Sequence, residues 1–153
     1  MERVATYDDV NLILRLYELR REEKMREARQ WFAQHFQART LEELNALCPM
    51  GSESNAYFRM VISYWEMVAS FITSGVLQQE LFFASHTEAL LVWERVRPLV
   101  GPLREMAKNP SWLKNLETVA GSFQQWLNRA HPEAHATFSA RVQTMVAPVK
   151  KAS

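Results

Sequence analysis

Residues 55–73 read NAYFRMVISYWEMVASFIT. The run is apolar on nearly every side of a helix. Its polar positions Arg59, Ser63, Glu66, Ser70 and Thr73 fall at spacings of four, three, four and three. A helix with so narrow a polar stripe is buried, in a protein core or in a membrane. The apolar stretch from Tyr57 to Leu77 has about the length of a bilayer span, but Arg59 and Glu66 lie within it. We therefore read it as the central helix of a soluble bundle. Ser52 or Ser54 is the expected N-terminal cap, and Gly75 the expected stop.

Working outward, the same periods of three and four recur on both sides. Only four glycines occur, no Asn-Gly or Asp-Gly hairpin signal is present, and no stretch alternates apolar and polar for long. The expected fold is all-α, one domain over residues 1–153, with about six to seven helices and frayed ends at 1–5 and 148–153. A long first helix is expected from Thr6–Asp9 to about Gln37. Its acidic start suits the helix dipole, and RREEKMREAR forms a solvated middle. Thr40-Leu-Glu-Glu43 has the capping-box pattern and opens a short helix that Pro49 and Gly51 end. A short helix over Leu77–Phe83 follows. The next, starting at Ser85 or Thr87, meets Pro98 and Pro102, where a kink or break is expected before it continues to about Lys108. Ser111 is the expected cap of a helix over Trp112–Ala130. Pro132 and Glu133 then begin a last helix that runs to about Val146.

Composition excludes several classes. With 48% hydrophobic, 23% charged and 11% aromatic residues, the chain is not disordered. Cys48 is the only cysteine, so there is no disulfide framework. Eighteen basic against seventeen acidic residues leave none of the basic excess of a nucleic-acid binder. The N-terminus MERVATYDDV lacks a signal-peptide pattern, and a cytoplasmic setting is expected.

Candidate chemistry is sparse. His131 and His135 stand four apart, but His131 precedes the last helix and no third ligand is indicated, so no metal and no cofactor are expected. His86 and Glu88 read as a helix start and His35 as a packing residue. Cys48 reads as an idle thiol. No Ser-His-Asp order or phosphate-binding glycine loop can be defended, so no catalytic residue is assigned. Glu66 stands out, because a carboxylate inside so apolar a helix needs a partner. The expected partners are Arg59 on its own helix, or Arg95, Arg97 or Arg104. Trp65 and Trp93 join Glu66, Arg59 and Arg97 as candidates for a buried polar cluster or a small apolar-ligand pocket.

The segment Phe58–Pro98 contains Glu66-Met-Val-Ala, then Gly75-Val-Leu-Gln-Gln-Glu-Leu, then a helix with Trp93 and Arg97-Pro98. It resembles a family of small bacterial all-helical proteins of unknown function. The resemblance implies no activity. It implies at most a fixed structural contact between Glu66 and Trp93.

The first half of the N-terminal helix carries apolar residues on more than one face. Val10, Ile13, Leu14, Leu16 and Tyr17 are the expected dimer contacts. The functional expectation is a non-enzymatic protein-interaction module that forms a homodimer. A sensor domain for a small apolar ligand is the alternative.

Overall fold

The computed structural model describes residues 3–146. Its regular elements among them are α-helices: α1 (Tyr7–Arg20), α2 (Glu23–His35), α3 (Leu41–Leu47), α4 (Glu53–Thr73), α5 (Gln79–Phe83), α6 (Thr87–Ala107), α7 (Lys114–Ala130) and α8 (Ala134–Thr144). The all-α expectation holds, with eight helices where six or seven were expected. None of them is long and apolar enough to cross a membrane.

α4 takes the central place its composition demands. It buries Phe58, Val61, Ile62, Tyr64, Trp65, Val68 and Ala69 and packs against α2, α7 and α6. Phe32 and Phe36 from the α2 end stack on each other at 4.6 Å between ring centroids, and Phe36 stacks on Phe58 at 5.0 Å. Such contacts add specific geometry to the burial of apolar area. Ser52 Oγ accepts the Asn55 N–H at 3.1 Å and so caps α4. Gly75, at φ +80°, takes the left-handed turn after it. Thr40 caps α3 through the Glu43 N–H. Glu43 reaches back one residue further than the standard box and accepts from the Arg39 N–H at 2.8 Å.

Three expected boundaries move. The long first helix is two helices, because Glu22 leaves helical backbone and its carboxylate accepts the Met25 N–H at 3.0 Å, capping α2. Arg29 secures the turn: its Nη1 donates to the Arg20 carbonyl at 3.1 Å, filling an acceptor at the end of α1. Its Nε and Nη2 grip Glu88 of α6 at 2.8 Å each, with Arg20 Nη1 joining at 3.3 Å. The expected break does not occur: α6 runs on through Pro98 and Pro102. The buried row Val92, Val96, Leu99 and Val100 continues past the first proline, and this packing outweighs the lost hydrogen bonds. α7 begins at Lys114, after Leu113 in the left-handed region at φ +55°, and Ser111 does not cap it.

Of the expected frayed ends, residues 1–2 and 148–153 lie outside the described residues. Arg3, inside the first of those ends, is anchored. Its Nη1 and Nη2 donate to the buried Asp9 carboxylate at 2.7 and 2.6 Å, and it also donates to the Gly75 and Val76 carbonyls. Asp9 further accepts from the Thr6 N–H at 2.7 Å and the Gln78 N–H at 2.9 Å. One carboxylate thus ties the start of α1 to the α4–α5 connection.

Asp9→Ala leaves the buried Gln78 N–H without an acceptor, and we expect a loss of about 1–3 kcal/mol in urea denaturation. The Arg3 guanidinium holds the Asp9 carboxyl well below its usual range, and burial holds His86 below the ordinary histidine value. Both shifts are downward, so the unfolded chain binds more protons in acid and both contributions are complete at neutral pH. Stability should fall as pH drops below about 6.5 and again below about 4. A flat pH–stability curve over that range would contradict both contacts.

Candidate functional site

Glu66 sits half-buried on α4 and meets no arginine. Its Oε1 accepts from the Asn115 N–H at 3.1 Å and from Asn115 Nδ2 at 2.9 Å, and its Oε2 accepts from the Leu116 N–H at 2.7 Å. These amides belong to the first turn of α7, whose N–H groups have no partners within the helix. The carboxylate also lies where the helix dipole favours negative charge. Glu66 is therefore a cap supplied from another helix, and the expected arginine partnership is replaced by backbone amides. The segment it closes is braced from α6 as well. Arg104 Nε donates to the Trp112 carbonyl at 2.8 Å, and its Nη1 pairs with Glu117 at 2.8 Å. Leu113 accepts its uncommon backbone conformation with its side chain buried.

The other expected cluster members do not converge on Glu66. Arg59 is exposed and stands with Ser63, Met60 and Trp112 along an open groove of about 590 Å³ beside Glu66. Trp65 is fully buried, edge-on to Tyr64 and Phe82. Trp93 is half-buried against the core, and the hydrogen bonds of Glu66 run to α7, so the implied Glu66–Trp93 contact is not among them. Arg97 reaches Glu94 instead, at 3.4 Å.

The dimer candidates on α1 divide into two sets. Leu16 is 2% exposed and belongs to the core of the chain, so it cannot serve as a dimer contact in this fold. Ile13 is partly buried against that core. Val10, Leu14 and Tyr17 face outward with 40%, 53% and 46% of their surface exposed, and Tyr7 joins them at 78%.

Sequence reading missed the buried Glu94 on α6 and gave Arg95 beside it the wrong partner. Glu94, only 4% exposed, accepts from His135 Nε2 at 3.0 Å and Ser139 Oγ at 2.8 Å, both on α8. Its neighbour Arg95 sends Nη1 into the Phe32 and Ala33 carbonyls at 2.7 Å each, near the end of α2. The i, i+4 spacing of His135 and Ser139 was a usable signal, because it sets both on one helix face. His131 instead ends α7, its N–H bonded to the Leu127 carbonyl at 2.8 Å, so the two histidines do not act as a pair. His86 is buried and stacked on Phe82, with Nδ1 donating to the Phe82 carbonyl at 3.0 Å. Among the described residues no group of three His, Cys, Asp or Glu side chains gathers as a metal site.

The sequence of this chain matches the family described as a domain of unknown function, DUF4760, over residues 5–126. The chain belongs to DUF4760. The matched span covers α1 to α6 and most of α7 and leaves α8 outside it. A family without an assigned activity agrees with the resemblance noted in the sequence. Neither the curated proteins nor the solved structures provide a match.

Two measurements check this local chemistry. Glu66→Ala in this DUF4760 protein should cost about 0.5–2 kcal/mol, the range of a lost N-cap, and Glu66→Gln should cost less because one acceptor oxygen remains. Equal stability of wild type and Glu66→Ala would sink the cap. Burial pushes the Cys48 thiol up to about 12, so a disulfide reagent should leave it unmodified in the native protein and modify it in urea.

Proposed function

We propose that this DUF4760 chain is a protein-interaction module that pairs with a second copy of itself through α1, in a bacterial cytoplasm. One observation supports the reading above others: Tyr7, Val10, Leu14 and Tyr17 form an outward row at spacings of three, four and three. That is the period of a helix–helix seam. Scattered single apolar residues on a surface are ordinary, but four in register along one helix are a face.

Charge selects the orientation of the pair. A two-fold interface must be complementary to itself. Antiparallel pairing about the middle of α1 sets Tyr7 against Tyr17 of the second copy and Val10 against Leu14. It also brings Asp8 beside the second copy's Arg15, whereas parallel pairing would align Asp8 with Asp8. The ligand-pocket alternative has less support. Glu66, its proposed polar anchor, is committed to α7, and the large aromatics pack on one another.

A contact confined to one face of a 14-residue helix in each copy is small, so dimerisation should be weak and concentration-dependent. Sedimentation velocity should give a monomer–dimer equilibrium for wild type and a monomer for Leu14→Glu, with unchanged circular dichroism because Leu14 is exposed. Arg15→Asp should weaken the dimer, and adding Asp8→Lys should restore it. A wild type that stays monomeric at hundreds of micromolar overturns the reading, as does a Leu14→Glu variant that dimerises normally.

A further inference from the structure

We propose that the cleft between α6 and α8 binds a phosphate-type oxyanion. The cleft is a shallow, open depression of about 580 Å³, lined by Arg39, Arg97, His135, Ser139 and Gln143, with Pro98 forming part of its wall. Beneath it lies a second space of about 10 Å³, bordered by Arg95 and Glu94 and sharing Arg39, Pro98 and Gln143 with the cleft. That space has room for about one water-sized group.

Arg95 carries the argument. It is 5% exposed, its Nη1 is used on two carbonyls, and its Nε and Nη2 are buried without a partner. No carboxylate pairs with it among the described residues. A buried cation lacking a counter-charge is costly to the fold, and an anion at the adjoining space would relieve that cost. The surroundings lean the same way. Arg39, Arg95 and Arg97 face a single carboxylate, Glu94, and no other acidic residue lines either space. The Glu94 oxygens are already engaged by His135, Ser139 and Arg97, which removes much of its repulsion toward an incoming anion. Arg39 spends Nη2 on Gln143 Oε1 and keeps its remaining N–H groups for a ligand.

The donor set favours phosphate over carboxylate. Guanidinium forks donate in pairs, and the two forks that line the cleft, Arg39 and Arg97, supply more directed N–H groups than two carboxylate oxygens can accept, with the buried Arg95 charge in the adjoining space. A phosphate presents three or four acceptor oxygens, and the short apolar wall of Pro98, Ala136 and Ala140 suits the small body of an ester. This site is independent of the α1 seam and stands or falls without it.

The test titrates inorganic phosphate, and separately glycerol phosphate, into the full chain at constant ionic strength balanced with sodium chloride. Calorimetry should give saturable binding, and the melting temperature should rise with phosphate but not with the matched chloride. Arg39→Gln and Arg97→Gln should each weaken binding about tenfold or more, the loss of one charge-assisted contact. Both side chains are exposed, so these variants should keep the fold. Tighter binding of the ester names a phosphate monoester as the ligand, and equal binding names the free ion. No saturation at millimolar phosphate overturns the site, as does an equal chloride effect or full affinity in both variants.

Discussion

A carboxylate on the central helix closes the end of another helix, and much of the fold is arranged around that contact. Glu66 joins α4 to α7 by taking up two backbone amides and one side-chain amide at the start of α7. The first turn of any helix has donors that need acceptors, and the loop before α7 supplies none from a Ser or Asp at the cap position. Leu113 occupies that position instead, in a backbone conformation that leucine adopts at a cost. The interhelical cap and the buried Leu113 side chain together hold the junction. This explains how so apolar a helix tolerates a carboxylate: the charge replaces a local cap with a tertiary one.

The same principle recurs at several other corners of this chain. Arg29 fills a carbonyl at the end of α1 and grips Glu88 on α6. Arg95 reaches carbonyls near the end of α2, and Arg104 reaches the Trp112 carbonyl before α7. Asp9 takes the Gln78 N–H before α5. Charged side chains therefore do at a distance what Ser, Thr and Gly do locally elsewhere. Each such contact links elements far apart in sequence, so these particular helix ends depend on tertiary packing more than on their own residues.

Those contacts also separate what the sequence made legible from what it did not. The 21-residue α4 was readable because its apolar pattern needs no partner to be recognised, and the Ser52 and Thr40 caps were readable because both lie within one turn of the N–H donors they accept from. The break at Arg21–Glu22 was hidden, since RREEKMREAR has good helix propensity and the turn is made favourable by the Glu22 cap together with the distant Arg29–Glu88 contact. The partner of Glu66 was hidden for a related reason. A backbone amide has no residue identity to read, whereas an arginine does. Leu16 was misassigned to the surface because a helix apolar on several faces does not reveal which of them its own chain covers. Glu94 lay in a helix whose prolines drew attention to its backbone, and Arg95 beside it was matched to Glu66 because the carbonyls it meets carry no residue identity.

Arg95 differs from the other charged side chains that bind helix ends. Arg29 and Arg104 each have a carboxylate nearby, Glu88 and Glu117, so their charge is compensated inside the chain. Arg95 has carbonyls only, and two of its nitrogens are left over. Capping α2 needs just one of its amino groups, and a neutral donor would meet that need without the cost of a buried charge. Capping therefore does not account for an arginine at this position. An external anion would, because it supplies the missing counter-charge where Arg39 and Arg97 already approach from the cleft above. The core reading explains Glu66 completely. It explains Arg95 only in part, and the unexplained part lies under a cationic cleft.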